Sequence, residues 1–306
     1  MSEQQEHGSG GRAGTHPAHP AHPADEAHEA REVPEVSGTR EAREAREINR
    51  ANWEDRAGVH ARSAFYDLPG FRAGASTLRP YEPGEVGEVA GRSLLHLQCH
   101  MGQDTLSWAR LGARVTGLDF SARAVATARR LAADTGLSGR ARFVVADVHE
   151  AARALAGERF DIVYTGIGAL VWLPDLDRWA GTVASLLKPG GFLYLVELHP
   201  VAEVLGDDGR TVEYDYFDRR AQEFDSPHSY TGSDHELTST RSVQWQHGVG
   251  DVVTALARGG LRVEFLHERP STLFARFPVL ERDGGEYRYP AGVPGVPLSY
   301  SLRASR

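Results

Sequence analysis

The sequence is short of cysteine, lysine, long apolar runs and net positive charge. Cys99 is the single cysteine in 306 residues, which excludes an internal disulfide framework and fits a reducing compartment. Lys188 is the only lysine, so nearly all positive charge is arginine; we read this as codon bias of a GC-rich genome rather than as function. No apolar run approaches the ~20 residues that a bilayer span requires. The opening Met-Ser-Glu-Gln-Gln-Glu-His lacks a basic region followed by an apolar one, so no secretory leader is expected and the cytoplasm is the expected location. The formal charge is −8, and residues 1–47, with ten acidic residues and five arginines, account for −5 of it. Without a basic footprint, phosphate-backbone binding is disfavoured, and nucleic acid with it. What is present is ordinary for a globular chain, 41% apolar and 25% charged, enough for a core.

Residues 94–104, Leu-Leu-His-Leu-Gln-Cys-His-Met-Gly-Gln-Asp, read as an apolar strand that turns sharply into a helix. Such turns offer backbone N–H groups to a nucleotide-like ligand. Glycine is scarce in it. A dinucleotide fingerprint has three glycines here, and this chain has Gln98, His100 and Gly102. Further signals follow at regular distances: Asp119 ends a second strand, Asp147 a third, and a Lys188-Pro189-Gly190-Gly191 turn precedes a fifth.

Strands are expected at 93–98, 113–119, 141–147, 160–165, 192–199, 261–268 and 298–304. Helices are expected at about 102–112, 121–136, 176–187 and 251–258. The alternation implies a mostly parallel sheet covered on both faces. The last two strands have no helix between them and are expected to pair antiparallel. Residues 1–38 are Gly, His, Pro, Ala and Glu with almost no large apolar side chain, a tail too polar to offset its ordering entropy. His16, His19 and His22 repeat there, but the prolines prevent a helix from aligning them, and no metal site is expected. Residues 39–82 form a helical N-terminal cap, and 83–306 the main domain. Within it, 200–247 is an aromatic-rich insertion with Tyr214, Tyr216, Phe217, Tyr230, His235, Trp245 and His247.

Taken together, the turn, the two strand-ending aspartates and Tyr164-Thr165-Gly166-Ile167-Gly168-Ala169-Leu170 resemble the class I S-adenosylmethionine-dependent methyltransferases over roughly residues 48–306. The motif His-Leu-Gln-Cys-His-x-Gly-Gln-Asp-Thr looks like that of a bacterial subfamily acting on small molecules. The resemblance implies an α/β, Rossmann-like fold with seven strands, the last antiparallel, and S-adenosyl-L-methionine as cofactor. It implies that Gln98, Cys99, His100 and Gly102 form the cofactor loop, with Phe120, Ser121, Thr165 and Gly166 nearby and Asn52, Trp53, Arg56, His60 and Tyr66 of the cap over the bound cofactor, the alternative for the cap being plain surface packing. Asp119 would take the ribose hydroxyls, and Asp147 the adenine amino group with Val148 packed beside it. Each has a structural alternative: Asp119 a helix cap before Ser121, His100 a loop residue bonded to backbone.

Gly168, Trp172, Tyr214 and Tyr216 are expected at the acceptor pocket. Glu197 and His199 end the fifth strand two residues apart and therefore share a face. An oriented imidazole beside a carboxylate is a candidate general base; alternatively His199 before Pro200 ends the strand and Glu197 pairs with an arginine. The expected reaction is methyl transfer to O or N of a small-molecule metabolite. The alternatives are cyclisation or aminocarboxypropyl chemistry releasing methylthioadenosine, or cofactor binding without turnover. The expected partner is a small-molecule acceptor, with a homodimer as one option and no membrane.

Overall fold

A computed structural model describes residues 40–232 and 235–306; the tail 1–38, with His16, His19 and His22, lies outside them. The cap supplies α1 (Arg40–His60), α2 (Leu68–Arg72) and α3 (Glu82–Val86). The core then alternates β1 (Ser93–Leu97), α4 (Gln103–Arg110), β2 (Arg114–Asp119), α5 (Ala122–Asp134), β3 (Ala141–Val145), α6 (Ala151–Ala154), β4 (Phe160–Thr165), α7 (Leu176–Leu186) and β5 (Leu187–Leu198). After β5 come α8 (Pro200–Glu203), a hairpin of β6 (Gln222–Asp225) and β7 (Arg241–Gln244), α9 (Val249–Arg258) and β8 (Arg262–Arg269). The chain ends with β9 (Ser271–Thr272), β10 (Glu281–Asp283), β11 (Glu286–Arg288) and β12 (Ser299–Ser305).

Seven strands form one sheet in the order β3-β2-β1-β4-β5-β12-β8. β12 is antiparallel to both β5 and β8, and the others run one way. This is the Rossmann-like methyltransferase arrangement, with the order reversing beside β1, where ligands of open α/β sheets sit. Apolar strands explain the burial: Leu94, Leu95, Leu97, Ile162, Val163, Leu193 and Leu195 are completely enclosed between the helical layers. Ser121 caps α5, its hydroxyl accepting the Ala124 N–H at 3.1 Å. Among the described residues no helix is long and apolar enough to cross a membrane.

Two features differ from expectation. β5 starts at Leu187, directly after α7, and carries the Pro-Gly-Gly turn within the strand. The segment between β8 and β12 is more than a connection: β9, β10 and β11 make a small antiparallel sheet. It packs Phe277, Leu280 and Leu298 against Ala202 and Leu205 of the region after β5.

Candidate active site

The carboxyl ends of β1, β2, β3 and β4 open on a cavity of about 1230 Å³. Its floor begins with the β1–α4 turn. Gln98, His100 and Gly102 all have left-handed backbone, with φ of 57°, 49° and 76°. Glycine geometry is therefore kept at all three positions, two of them with side chains that pay a conformational cost. Only the third cannot change: a Cβ on Gly102 would lie 2.6 Å from Phe143 Cε1 and 2.9 Å from Ala128 Cβ. Gln98 Nε2 donates to the Ala169 carbonyl at 3.0 Å, while its Oε1 is buried and unpartnered.

Asp119 is buried at the end of β2, where it accepts the His100 N–H at 2.8 Å and the Ser121 N–H at 2.9 Å. Burial pushes its carboxyl up to about 6, against the pull of those backbone donors. Each carboxylate oxygen keeps an acceptor site for a ligand hydroxyl. Asp147 caps the 3-10 turn after β3 through the His149 N–H at 2.8 Å, and its other oxygen faces Arg46 of α1 at 3.7 Å. Val148 and Phe120 line the same cavity, together with Cys99 and Trp53. The Cys99 thiol is buried and pushed well up by that burial, so it is packing rather than a nucleophile.

A second polar wall lies by β4; His96 and Asp104 of it belong to the turn motif, but the sequence assigned them no role. Asp104 Oδ1 accepts the Thr77 hydroxyl at 2.5 Å. A Cβ on Gly166 would sit 3.3 Å from His96 Nε2 and 3.5 Å from Asp104 Oδ2. Glu82 accepts the Tyr164 hydroxyl at 2.8 Å and the Arg79 N–H at 2.7 Å. Burial pushes Glu82 up to about 8 and His96 down to about 3. Arg79, Asp104, Glu82 and His96 all face the cavity.

The cap closes over these walls. Asn49 of α1 pairs with the backbone of Val243 in both directions, at 2.7 Å each, and Asn52 donates to the Ser239 carbonyl at 2.6 Å. Glu54 accepts the Ser121 hydroxyl at 2.5 Å, fastening α1 to the start of α5. The inner side of α1 then presents Trp53, Arg56 and His60. His60 Nδ1 meets His100 Nε2 at 2.9 Å, and His60 Nε2 meets the Ser229 hydroxyl at 2.6 Å. The Tyr66 and Tyr230 hydroxyls bond each other beside them. Burial drives His100 down to about 3 and His60 well below its usual range, so both rings are neutral at neutral pH.

Glu197 and His199 are not brought together as a base and its orienting carboxylate. Glu197 turns to the loop after β4 and accepts the N–H groups of Gly168, Ala169 and Leu170 at 2.5–2.9 Å, and that of Leu198 at 2.8 Å. Burial pushes it up to about 7 while those four donors pull it down. His199 is occupied at both nitrogens: Nε2 meets Glu268 at 3.0 Å and Nδ1 accepts the Val201 N–H at 3.2 Å, capping α8. Burial lowers its pKa more than Glu268 raises it. Neither residue is among those lining the cavity. The two side chains met different partners because β8 and the 168–170 loop offer opposite chemistry, a carboxylate at Glu268 and three backbone N–H groups.

Gly168, Trp172 and Tyr214 do line the cavity, as does Gly166. Tyr216 instead packs on Phe217 and against Arg219, ring to guanidinium at 5.7 Å. Ser121 serves α1 and α5, as described, and Thr165 is buried with its hydroxyl unpartnered. Of the residues to which the sequence assigned no role, Arg79 and Ser229 carry no local motif, and Asp104 lies inside the turn motif itself. Phe274, Arg276, Phe277 and Tyr287, from the segment of β9–β11, line the mouth; there the Asp283-Gly284-Gly285 turn was an available hairpin signal.

Residues 94–191 match the methyltransferase domain family. The matched stretch runs from β1 into β5 and so includes the β1–α4 turn and the strand ends that open on the cavity. The ubiquinone biosynthesis O-methyltransferase of Chelativorans sp. (strain BNC1) is 32% identical over 127 residues, 41% of this chain and 47% of that protein. Its counterpart in Cronobacter sakazakii (strain ATCC BAA-894) is 33% identical over 141 residues, 45% of this chain and 56% of that protein. The chain thus spans about half the length of these curated relatives. An S-adenosylmethionine dependent methyltransferase from Mesorhizobium loti has the same fold, with a TM-score of 0.50 and 23% identity over 81% of this chain and 100% of that one.

Proposed function

We propose that the protein transfers a methyl group from S-adenosylmethionine to an oxygen or nitrogen of a small-molecule metabolite. The observation that carries this reading is the left-handed backbone at Gln98, His100 and Gly102 with Asp119 at the neighbouring strand end, all opening on one cavity. The residues fit the cofactor. Asp119 has acceptor capacity for two ribose hydroxyls. Asp147 and His149, whose two ring nitrogens lack partners, stand where the adenine edge would lie. Arg79 and Asp104 offer opposite charges to an amino-acid end. When bound, the cofactor supplies an activated methyl on a sulfonium, so the protein's task is alignment, exclusion of water and management of any acceptor proton.

The enclosing residues are suited to that task. Trp53 and Trp172 meet edge to face, centroids 5.2 Å apart, and join the cap to the loop after β4. Glu197 holds that loop, and so positions Gly168 and Trp172 rather than moving a proton. His199 supports α8. The relatives that are O-methyltransferases favour an oxygen acceptor.

The test is incubation with labelled S-adenosylmethionine and metabolite extracts, with mass spectrometry of the products. S-adenosylhomocysteine together with a labelled metabolite supports the reading. Methylthioadenosine as the coproduct would replace it with non-methylating chemistry, and cofactor binding without any turnover would leave a binding protein.

A further inference from the structure

Arg56 projects from α1 into the covered side of the cavity and is only 8% exposed. Among the described residues no hydrogen bond or ion pair engages its guanidinium, and its Nε is enclosed without a partner. The acids next to it on α1 are committed elsewhere: Glu54 to Ser121 and Arg123, Asp55 to the backbone of Thr238 and Ser239. The phenols of Tyr66 and Tyr230 beside it are pushed up by burial and stay neutral. What surrounds the charge is aromatic. The guanidinium carbon is 5.5 Å from the Trp53 ring centroid, 5.7 Å from Trp172 and 5.8 Å from Tyr230.

An arginine cannot shed its proton to escape burial, and a buried charge without a counter-ion is unfavourable. Ring contacts at the edge of the cation–π range compensate it only weakly. A guanidinium in this setting lacks an anion, and its planar fork matches a carboxylate. The neighbouring imidazoles point the same way. His60 and His100 are neutral and resist protonation, so they are poor bases for a neutral acceptor, whereas an acceptor that arrives ionised needs none.

From this we infer that the acceptor is a planar organic carboxylate, bound with its oxyanion on Arg56 and its flat body against Trp53, Trp172 and Tyr230. The inference rests on the methyltransferase reading and narrows its acceptor to an anion. The cofactor also carries a carboxylate, and we assign that one to the wall of Arg79 instead.

Calorimetry on the full chain saturated with S-adenosylhomocysteine, using benzoate and its neutral isostere benzamide, tests the assignment. Wild type should bind benzoate in preference to benzamide. Arg56→Met should weaken benzoate by about tenfold or more, the loss of a charge-assisted pair, and leave S-adenosylhomocysteine and methylthioadenosine affinities unchanged. Because it removes an uncompensated charge, Arg56→Met should also raise the Tm of the ligand-free protein by about 2 °C or more. Arg56→Lys should keep the charge without the fork and fall between the two. Equal binding of benzoate and benzamide to wild type would overturn the inference, as would a lowered Tm. So would an Arg56→Met loss confined to S-adenosylhomocysteine and absent for methylthioadenosine, since the cofactor's carboxylate would then be the anion. Failure of wild type to bind S-adenosylhomocysteine overturns the methyltransferase reading instead. In that case the benzoate contrast at Arg56 remains measurable in the free protein.

Discussion

The two sides of the cavity are built by different means. The floor, at the ends of β1, β2 and β4, is made of backbone conformation and single carboxylates set by residues close in sequence. The cover, made of α1, the β6–β7 hairpin and the β9–β11 segment, consists of rings, histidines and an arginine unpaired among the described residues, with contacts such as His60–His100 and His60–Ser229 that join positions 40 and 169 residues apart. A floor of this kind suits a ligand that does not vary, while a cover of this kind can be re-cut for each acceptor without disturbing the sheet. Glu197 is the joint between them, since it fixes the loop that Gln98 holds from the floor and Trp172 extends into the cover.

If the floor depends on backbone geometry, its third left-handed position should be the least replaceable. Gly102→Ala adds strain of about 1–2 kcal/mol for a side chain in that region and overpacking of about 1–3 kcal/mol against Phe143. Urea unfolding should show a loss of about 3–4 kcal/mol and calorimetry no S-adenosylhomocysteine binding. A wild-type midpoint would mean the turn is softer than the cover. The joint comes next. Glu197→Gln replaces a four-donor acceptor by a group with one acceptor oxygen, and should cost about 2–3 kcal/mol of stability. If it lowered kcat alone, with stability intact, Glu197 would be a chemical group after all.

Asp119→Ala should weaken S-adenosylhomocysteine by about 1.5–3 kcal/mol, the loss of charge-assisted hydrogen bonds. Its pH dependence is sharper evidence. The free carboxyl titrates near 6, raised by burial, so its protonated form contributes stability at low pH that is lost as pH rises through about 6. Ligand hydroxyls favour the ionised form instead. Affinity should therefore be flat above the neutral range and fall below pH 6, at most about tenfold per pH unit. Asp119→Asn should abolish that fall; an unchanged slope would place the titration elsewhere. The smallest effect is expected at the first left-handed position. Gln98→Gly relieves about 1–2 kcal/mol of strain and gives up a hydrogen bond of about 1 kcal/mol. Stability and cofactor affinity should both shift by less than about 1 kcal/mol. A large loss would show that the Gln98–Ala169 link, not the backbone, sets the loop.

The same division governs what was legible in the sequence. Gly102, Asp119, Asp147 and the Ser121 cap are short-range features, each readable from a strand, its end and the next helix. Strand periodicity was equally local, and the seven-stranded sheet followed from it. The His100–His60–Ser229 chain was not readable, because nothing near His60 announces the partners that α1 meets on packing. Glu197 and His199 show the converse error. Their two-residue spacing led to the expectation of a shared face, but β5 ends at Leu198 and His199 caps α8, and three loop N–H groups and Glu268 took the two side chains. Arg56 was noticed only as one of several cap residues, since a missing counter-ion is visible only in three dimensions.

The position of β12 bears on how the chain reaches this state. Residues 299–305 wedge between β5 and β8, both made earlier. Until they arrive, β5 is an open edge and β8 has no strand to pair with in the main sheet, both prone to unwanted pairing. During synthesis, the seven-stranded sheet therefore stays incomplete until residues 299–305 have been made. β8 joins the main sheet only through this late insertion. Long-range pairings of this kind are slow to form, so truncation within 299–305 should lead to aggregation rather than to a weakened enzyme.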